Sequence, residues 1–422
     1  MKSYHGILPY SHLLHWKRSL MKKYDVIIVG AGPAGGVCAR ELSATGRKVL
    51  LVEKAKDFFA NDFSSGGSTL ETLKTFDLPE SVVGAFCKQV RISSSEESHL
   101  WRSADPIAIV FDFRKLRTFL ADETSNNGSD LLFASSYQGY ETQDGIILVS
   151  FKKSGTRTIE QFQTKVLVDA TGSERKVLSH GAPRHQNAIV GTGIEFLVEV
   201  PEEVYRSHAE CLSFFIGQRW MPQGYAWIFP MEANRLKVGV GRNYPNEQVV
   251  PHQKSFRFYL DRLMSACLQT DAITILDQHG KTLSYTSHQR DRYFDKNIIA
   301  IGDAVSTVNP LTFEGIRHAM MSGRVAALHV NNLLDNKIVN FQGYKVAMRR
   351  MSGFKWIVSE QLTQNIYREA DDQKVNLMLG ALKSFTMETL LDLVFYYRLK
   401  SAVKFYAAYT GLRLKAALTR SG

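Results

Sequence analysis

The stretch that most constrains this chain is residues 24–35, YDVIIVGAGPAG. An apolar strand runs into Gly30-Ala31-Gly32-Pro33-Ala34-Gly35, and a helical pattern follows. Gly30 lets the strand turn sharply, Gly32 lets the backbone approach a pyrophosphate, and Gly35 lets the helix pack against the strand. Pro33 and Ala34 open that helix, whose free N–H groups and positive dipole end face the phosphates. A second strand at 48–52 ends in Glu53, at the distance where a carboxylate grips a ribose hydroxyl. A glycine-rich turn without a ligand is the alternative, and the full βαβ context weighs against it.

Further along, Ser64-Ser65-Gly66-Gly67-Ser68-Thr69 reads as a loop, either one that passes over a bound ring system or a surface connector. Residues 107–113 form a strand that passes into a helix at Arg114, where a cation can meet a phosphate or a flavin edge or can simply cap the element in water. Residues 131–151 alternate and turn at Gln143-Asp144-Gly145, a hairpin signal. The buried strand at 166–170 ends in Asp169-Ala170-Thr171-Gly172, at the sheet edge where open α/β folds bind ligands.

Short strands at 194–200, 211–216, 225–229 and 236–240 follow without long helices between them, which predicts an inserted antiparallel sheet. Within it, Tyr225, Trp227 and Phe229 share one face by period-two geometry. They make either sheet core or the wall of an apolar cavity. The strand at 297–301 runs into Gly302-Asp303, where the carboxylate can bind a ribityl or ribose hydroxyl, and residues 309–315 open a helix through 327. The N–H groups near Gly315 would face the anionic end of a reduced isoalloxazine. Two strand–turn–helix elements together predict FAD rather than a nicotinamide cofactor. The fold class is therefore α/β: a Rossmann-type FAD-binding domain at 22–60, 100–180 and 285–345, and an antiparallel substrate domain at 61–99 and 181–284. A helical, basic region at 346–422 and an extension at 1–21 complete the chain.

Charge matters for the partners. A net charge of +11 fits an anionic partner, and with no nucleic-acid-binding motif in view nucleic acid is the least favoured. In 389–418, aromatic residues alternate with Arg398, Lys400, Lys404, Arg413 and Lys415. This is either a peripheral membrane contact through 389–422 or a helical cap with a solvated face. Cys38, Cys87, Cys211 and Cys267 make no CxxC, so a metal site and a disulfide framework are not expected, and a cytoplasmic, reducing compartment is.

GAGPAG with Glu53, DATG at 169–172, GYAWIFP at 224–230 and GDAVSTVNPLTFEGI at 302–316 resemble, in that order, FAD-dependent oxidoreductases of the para-hydroxybenzoate hydroxylase type. The YxWxFP stretch is similar to the hallmark of the geranylgeranyl reductase family. The resemblance implies reduction of prenyl carbon–carbon double bonds by hydride from reduced FAD, in an apolar tunnel beside the flavin. It implies that Gly30, Gly32, Pro33, Ala34, Gly35, Glu53, Arg114, Gly302, Asp303 and Gly315 hold FAD. It further implies that Ser65, Tyr225, Trp227, Phe229 and Phe313 line the substrate pocket, with Tyr225 and Trp227 as catalytic candidates. It also implies an isoprenoid or prenyl-lipid substrate, with NAD(P)H or ferredoxin as a transient donor.

Departures from the pattern keep other readings open. Ser65 stands where the family commonly has cysteine, Phe313 replaces the first glycine of a TGEG loop, and DATG resembles the lycopene cyclase form. A flavin monooxygenase, a non-redox isoprenoid cyclase using Glu195 or Glu314, and a non-catalytic lipid-binding flavoprotein are the alternatives.

Overall fold

The computed structural model describes residues 21–59, 63–179, 188–245, 254–287, 290–368 and 371–420. Of the expected 1–21 extension, only Met21 lies within them. Strand β1 (Lys23–Val29) runs through the glycine turn into helix α1 (Pro33–Ala44) and returns as β2 (Val49–Val52). The chain then leaves for a small sheet. It visits β3 (Gly67–Thr69), α2 (Glu71–Phe76), β4 (Val83–Cys87), β5 (Gln89–Ser93), β6 (Ser98–Arg102) and β7 (Ala108–Phe111). Helix α3 (Phe113–Asn126) leads back to β8 (Asp130–Leu132), the hairpin β9 (Ser135–Gln143) and β10 (Ile146–Lys153), and β11 (Ile159–Asp169). The hairpin turns at Asp144 and Gly145, as their spacing predicts.

The second excursion builds the large antiparallel layer. Its elements are β12 (Ala188–Glu199), α4 (Glu202–Arg206), β13 (Cys211–Ile216), β14 (Gly224–Met231), β15 (Arg235–Pro245), α5 (Phe256–Leu268) and β16 (Thr274–Thr286). The chain comes home through β17 (Phe294–Asp295) and β18 (Ile298–Ala300), then α6 (Ile316–Leu334). Strands β8-β2-β1-β11-β18 form a parallel core. β1 is the switch point, with β2 on one side and β11 on the other, and such a point opens a ligand crevice at the carboxyl ends. Val26 to Val29 are buried, as suits a central parallel strand covered on both faces.

The other large sheet runs β16-β12-β15-β14-β13-β5-β6. Two of its properties differ from the sequence expectation. β12 and β15 are long, 12 and 11 residues, where short strands were expected. Gly191, Gly193 and Gly241, which lie outside the expected 194–200 and 236–240, sit in register within the longer strands. β5 and β6 also join this sheet, β5 by parallel pairing with β13, a long-range contact without a local pattern.

Helix α5 covers one face of this sheet, with Leu260 and Leu263 against Leu236 and Val238. His208, buried below α4, gives that layer a pH dependence. Burial, aided by the Arg91 charge, pushes its imidazole down from the usual 6.5 to about 4. A histidine with a lowered folded pKa stabilises above its unfolded pKa, and that stability is lost as pH falls from 6.5 towards 4. At about 1.4 kcal/mol per pKa unit, roughly 3 kcal/mol is at stake. Urea midpoints at pH 7 and pH 4.5 check this, and His208→Gln is expected to flatten the difference between them.

The C-terminal helices are α7 (Gln342–Met351), α8 (Gly353–Thr363), α9 (Asp372–Leu382), α10 (Met387–Val394) and α11 (Leu399–Arg420). α9 and α10 roof β5 and β6 through Leu379 and Leu390 on Val90, Ile92 and Trp101. α11 packs Ala402 and Phe405 on this roof while Leu399, Val403, Tyr406, Leu414 and Leu418 stay exposed. Among the described residues, no helix is long and apolar enough to cross a membrane.

Candidate functional site

The carboxyl ends of β1 and β11 open onto a cavity of about 210 Å³ lined by Gly30, Gly32, Pro33, Ala34, Glu53, Arg117, Ala170, Thr171, Gly302 and Asp303. Gly30 adopts φ +112°, and a Cβ there would fall on the Ala170 carbonyl oxygen. A Cβ on Gly32 would meet nothing within 4 Å, because this backbone faces the cavity. A Cβ on Gly35 would fall on the Gly30 carbonyl oxygen, so Gly35 serves the helix–strand contact behind the cavity. No side chain caps α1, and its first turn points N–H groups at the opening.

Glu53 is buried at the end of β2. Its Oε2 accepts from Arg117 Nη2 at 2.9 Å and from the Ala31 N–H at 3.3 Å, and its Oε1 accepts from the Ala55 N–H at 3.0 Å. Arg117 also donates Nε to the Ala31 carbonyl at 3.0 Å, tying α3 to the glycine turn. The sequence reading chose Arg114 for the cofactor. Arg114 borders neither this cavity nor the next, and its guanidinium lies over the Phe59 ring at 4.4 Å. The overlooked signal for Arg117 is its place between Leu116 and Leu120 on the buried side of α3, where a charge needs a partner.

A second cavity of about 260 Å³ continues from the first, sharing Pro33, Phe113, Lys281, Asp303 and Ala319 with it. Burial pushes the Asp303 carboxyl up from the ordinary range, against the pull of the Lys281 ammonium and a bond from Thr307 Oγ1. Gly315 lines this cavity at the start of α6, where again no side chain caps the helix.

The opposite wall is the antiparallel sheet, and register explains its chemistry. His279, Glu195, Gly239, Trp227 and Phe214 form one row across β16, β12, β15, β14 and β13. Lys281, Gly193, Gly241, Tyr225 and Ile216 form the next. The indole of Trp227 lies across Gly239, where a Cβ would run into its ring, and donates Nε1–H to Glu195 Oε2 at 2.6 Å. His279 Nε2 stands 3.4 Å from Glu195 Oε1, and Phe63 stacks on the imidazole at 4.2 Å.

Tyr225 is buried, with its ring 5.6 Å from Trp227, 5.9 Å from Tyr367 and 5.8 Å from Phe313. Its hydroxyl donates to the Thr312 carbonyl at 2.6 Å, and burial pushes the phenol well above its usual value. Phe229 packs with Phe214 and faces Ser65 and Phe313 across a pocket of about 50 Å³. The three aromatics thus serve as core and as cavity wall together.

The loop at 64–68 is pinned between layers. Lys237 Nζ donates to the Ser64 carbonyl at 2.6 Å and to the Phe111 carbonyl at 3.2 Å. Ser68 Oγ donates to Glu314 Oε1 at 3.0 Å. Ser65 lines both the second cavity and the small pocket. Against the upward push of burial, the bidentate Arg317 guanidinium, at 2.8 and 2.7 Å, holds the Glu314 carboxyl well below the carboxylate range. Such a group stays ionised and makes a poor acid, which weighs against the cyclase alternative. Among the described residues, no cluster of His, Cys, Asp and Glu could hold a metal ion.

The family model for FAD dependent oxidoreductases matches residues 25–185, and that for the geranylgeranyl reductase catalytic domain matches 193–280. A digeranylgeranylglycerophospholipid reductase of Haloferax volcanii is 30% identical over 324 residues, 74% of this chain and 77% of that relative. The chain belongs to the geranylgeranyl reductase family. As a member of that family it is an FAD-dependent oxidoreductase. A second such relative, from Methanosphaera stadtmanae, is 23% identical and spans 89% of this chain and 96% of its own length. A crystal structure of a geranylgeranyl bacteriochlorophyll reductase-like protein from Thermoplasma acidophilum shares the fold, with a TM-score of 0.78 at 20% identity over 94% of this chain and 98% of that one.

The residues of this reductase fit FAD. The open space above Gly32, two uncapped helix N-termini, and the Glu53 and Asp303 carboxyls line one continuous, elongated site. Uncapped helix ends suit the pyrophosphate and the anionic edge of the ring, and the carboxyls suit hydroxyls.

Proposed function

We propose that this reductase hydrogenates carbon–carbon double bonds in the isoprenoid chain of a polar-headed lipid. The observation that carries the reading is the aromatic wall, Tyr225, Trp227 and Phe229, facing the ring end of an FAD-shaped site. Reduced FAD, when bound, would supply the hydride to one carbon of the double bond, and a proton drawn from solvent would complete the other. The chain's own residues do the rest. Gly30, Gly32 and the α1 N-terminus hold the pyrophosphate, Glu53 the adenosine half, and Asp303 with Gly315 the ribityl and ring end. Trp227, fixed by Glu195, presents a flat apolar face that excludes water and orients the alkene. Tyr225 commits its hydroxyl proton to Thr312, so it positions the wall instead of delivering that proton. NAD(P)H or ferredoxin would serve as the transient electron donor.

The test is anaerobic: reduce the holoprotein, add geranylgeranyl diphosphate, and follow flavin reoxidation with product mass. A gain of H2 per double bond is expected. Incorporated oxygen would point to a monooxygenase, isomeric mass with a new retention time to a cyclase, and an untouched lipid beside reduced flavin to a binding protein. We also assign a peripheral membrane contact to α11, whose exposed Leu399, Val403, Leu414 and Leu418 lie among Lys400, Lys404 and Arg413. Sedimentation with anionic liposomes is expected to fall when 389–422 is deleted.

A further inference from the structure

Phe313 occupies a backbone conformation that glycine prefers. Its φ is +55°, in the left-handed region where a Cβ is strained. The turn imposes this conformation. Asn309 Oδ1 accepts from the N–H groups of Leu311 at 2.8 Å and Thr312 at 3.2 Å, while the Phe313 N–H donates to the Asn309 carbonyl at 3.0 Å. A strained position over-determined by its surroundings is a reason to ask what the side chain does there.

The ring lies between spaces. Phe313 lines both the second cavity, with Asp303 and Gly315, and the small pocket, with Ser65 and Phe229. Tyr225, 5.8 Å away between centroids, lines both of these and also a third space of about 100 Å³. This third space is apolar, bounded by Phe214, Leu311 and Tyr367 and roofed by Leu390 and Val394 of α10. Opposite Phe313 stands Gly191, whose Cβ would come within 3.1 Å of the Phe313 ring edge. A large residue where glycine is favoured therefore faces a glycine where strand residues are favoured. The pair fills one gap, with the Phe313 ring at the partition between the flavin end and the small pocket, which in turn shares Phe214, Tyr225 and Thr312 with the apolar space.

We propose that Phe313, seated on Gly191 and stacked towards Tyr225, is a specificity-determining gate that sets how far a polyprenyl chain can thread past the flavin end, and so which of its double bonds are reduced. The inference rests on the reductase reading and adds the residue that limits its reach. With the ring in place, distal isoprene units stay out of the small pocket and so out of the apolar space beyond it, and reduction stops short of full saturation. Phe313→Gly relieves the left-handed strain, so it is expected to fold, and it opens the partition. Gly191→Ala pushes on the same ring and is expected to act in the opposite direction.

Two readouts test the gate in FAD-loaded protein. In the first, reduced wild type, Phe313→Gly and Gly191→Ala turn over geranylgeranyl diphosphate, and products are sorted by mass. The ratio of fully to partly saturated product is expected to rise about tenfold in Phe313→Gly, the weight of roughly two extra buried methylenes. In the second, thermal midpoints are measured with geranyl, farnesyl and geranylgeranyl diphosphate, without turnover. The gain with chain length should level off in wild type, continue in Phe313→Gly, and level off earlier in Gly191→Ala. Identical length profiles and identical product ratios in all three proteins would overturn the gate while leaving the reductase reading intact. Shifted length profiles with no double bond reduced in any of them would support the gate and sink the reductase reading.

Discussion

Gly35→Ala is expected to lower both thermal stability and flavin content, whereas Gly32→Ala is expected to lower flavin content alone. The two glycines belong to one motif, three residues apart, and the sequence assigns Gly32 to the pyrophosphate and Gly35 to the packing of the helix. The space around each is opposite. At position 35 a Cβ would fall on the Gly30 carbonyl oxygen and sit 3.1 Å from the Ala170 Cβ, so β1, β11 and α1 must all give way. Overpacking of that kind costs about 1–3 kcal/mol or more, which is a fall of roughly 5 °C in a mid-sized domain. At position 32 a Cβ meets no protein atom within 4 Å. The methyl occupies only the room a pyrophosphate needs, so apoprotein melting stays unchanged while retained flavin falls about tenfold, or about 1.4 kcal/mol. Absorbance of bound flavin after gel filtration, set beside apoprotein melting curves, checks both halves. Full flavin in Gly32→Ala would remove the glycine turn from the cofactor site.

Arg117→Ala is expected to be the most destabilising single change on α3, and Arg114→Ala to cost less. The Arg117 and Glu53 side chains are 1% and 8% exposed, and their ion pair is 2.9 Å long. Removing the cation leaves Glu53 as a buried charge, a change that costs about 3–5 kcal/mol. The Ala31 carbonyl loses a donor at the same time. Because both partners border the first cavity, flavin retention should fall with stability. Arg114, by contrast, sits over the exposed ring of Phe59, a contact worth about 0.5–1 kcal/mol. Urea denaturation and flavin retention for both variants separate the cases, and equal losses would mean that Glu53 has another neutralising partner.

The contrast between those arginines shows where sequence was informative. The βαβ unit, the Gly302-Asp303 end and the alternation of Tyr225, Trp227 and Phe229 are local patterns, and the chain follows them. Arg114 and Arg117 are one helical turn apart, and only the direction from which α1 and β2 approach decides which of them is buried. The same holds for β12 and β15. The space above Gly239 is filled by Trp227, from a neighbouring strand. The bonds from Lys237 to Ser64, from Trp227 to Glu195 and from Ser68 to Glu314 each join residues far apart in the chain. None leaves a periodic trace. Ser65 and Phe313, read as departures from a family pattern, were visible in sequence, but the meaning of Phe313 needed its φ and its glycine partner.

The way the parallel sheet is threaded also carries a lesson for biogenesis. Its strands lie in the order β8-β2-β1-β11-β18, yet five strands of the large sheet, β12 to β16, are synthesised between β11 and β18. On the ribosome, the Leu167–Asp169 end of β11 therefore waits for β18, with β10 covering its other half, while more than a hundred residues emerge, and long-range pairings of this sort are slow. Gly302-Asp303 follows directly on β18, so the dinucleotide crevice cannot close until that last strand docks. Flavin uptake is thus expected to be a late event in the folding of the nascent chain.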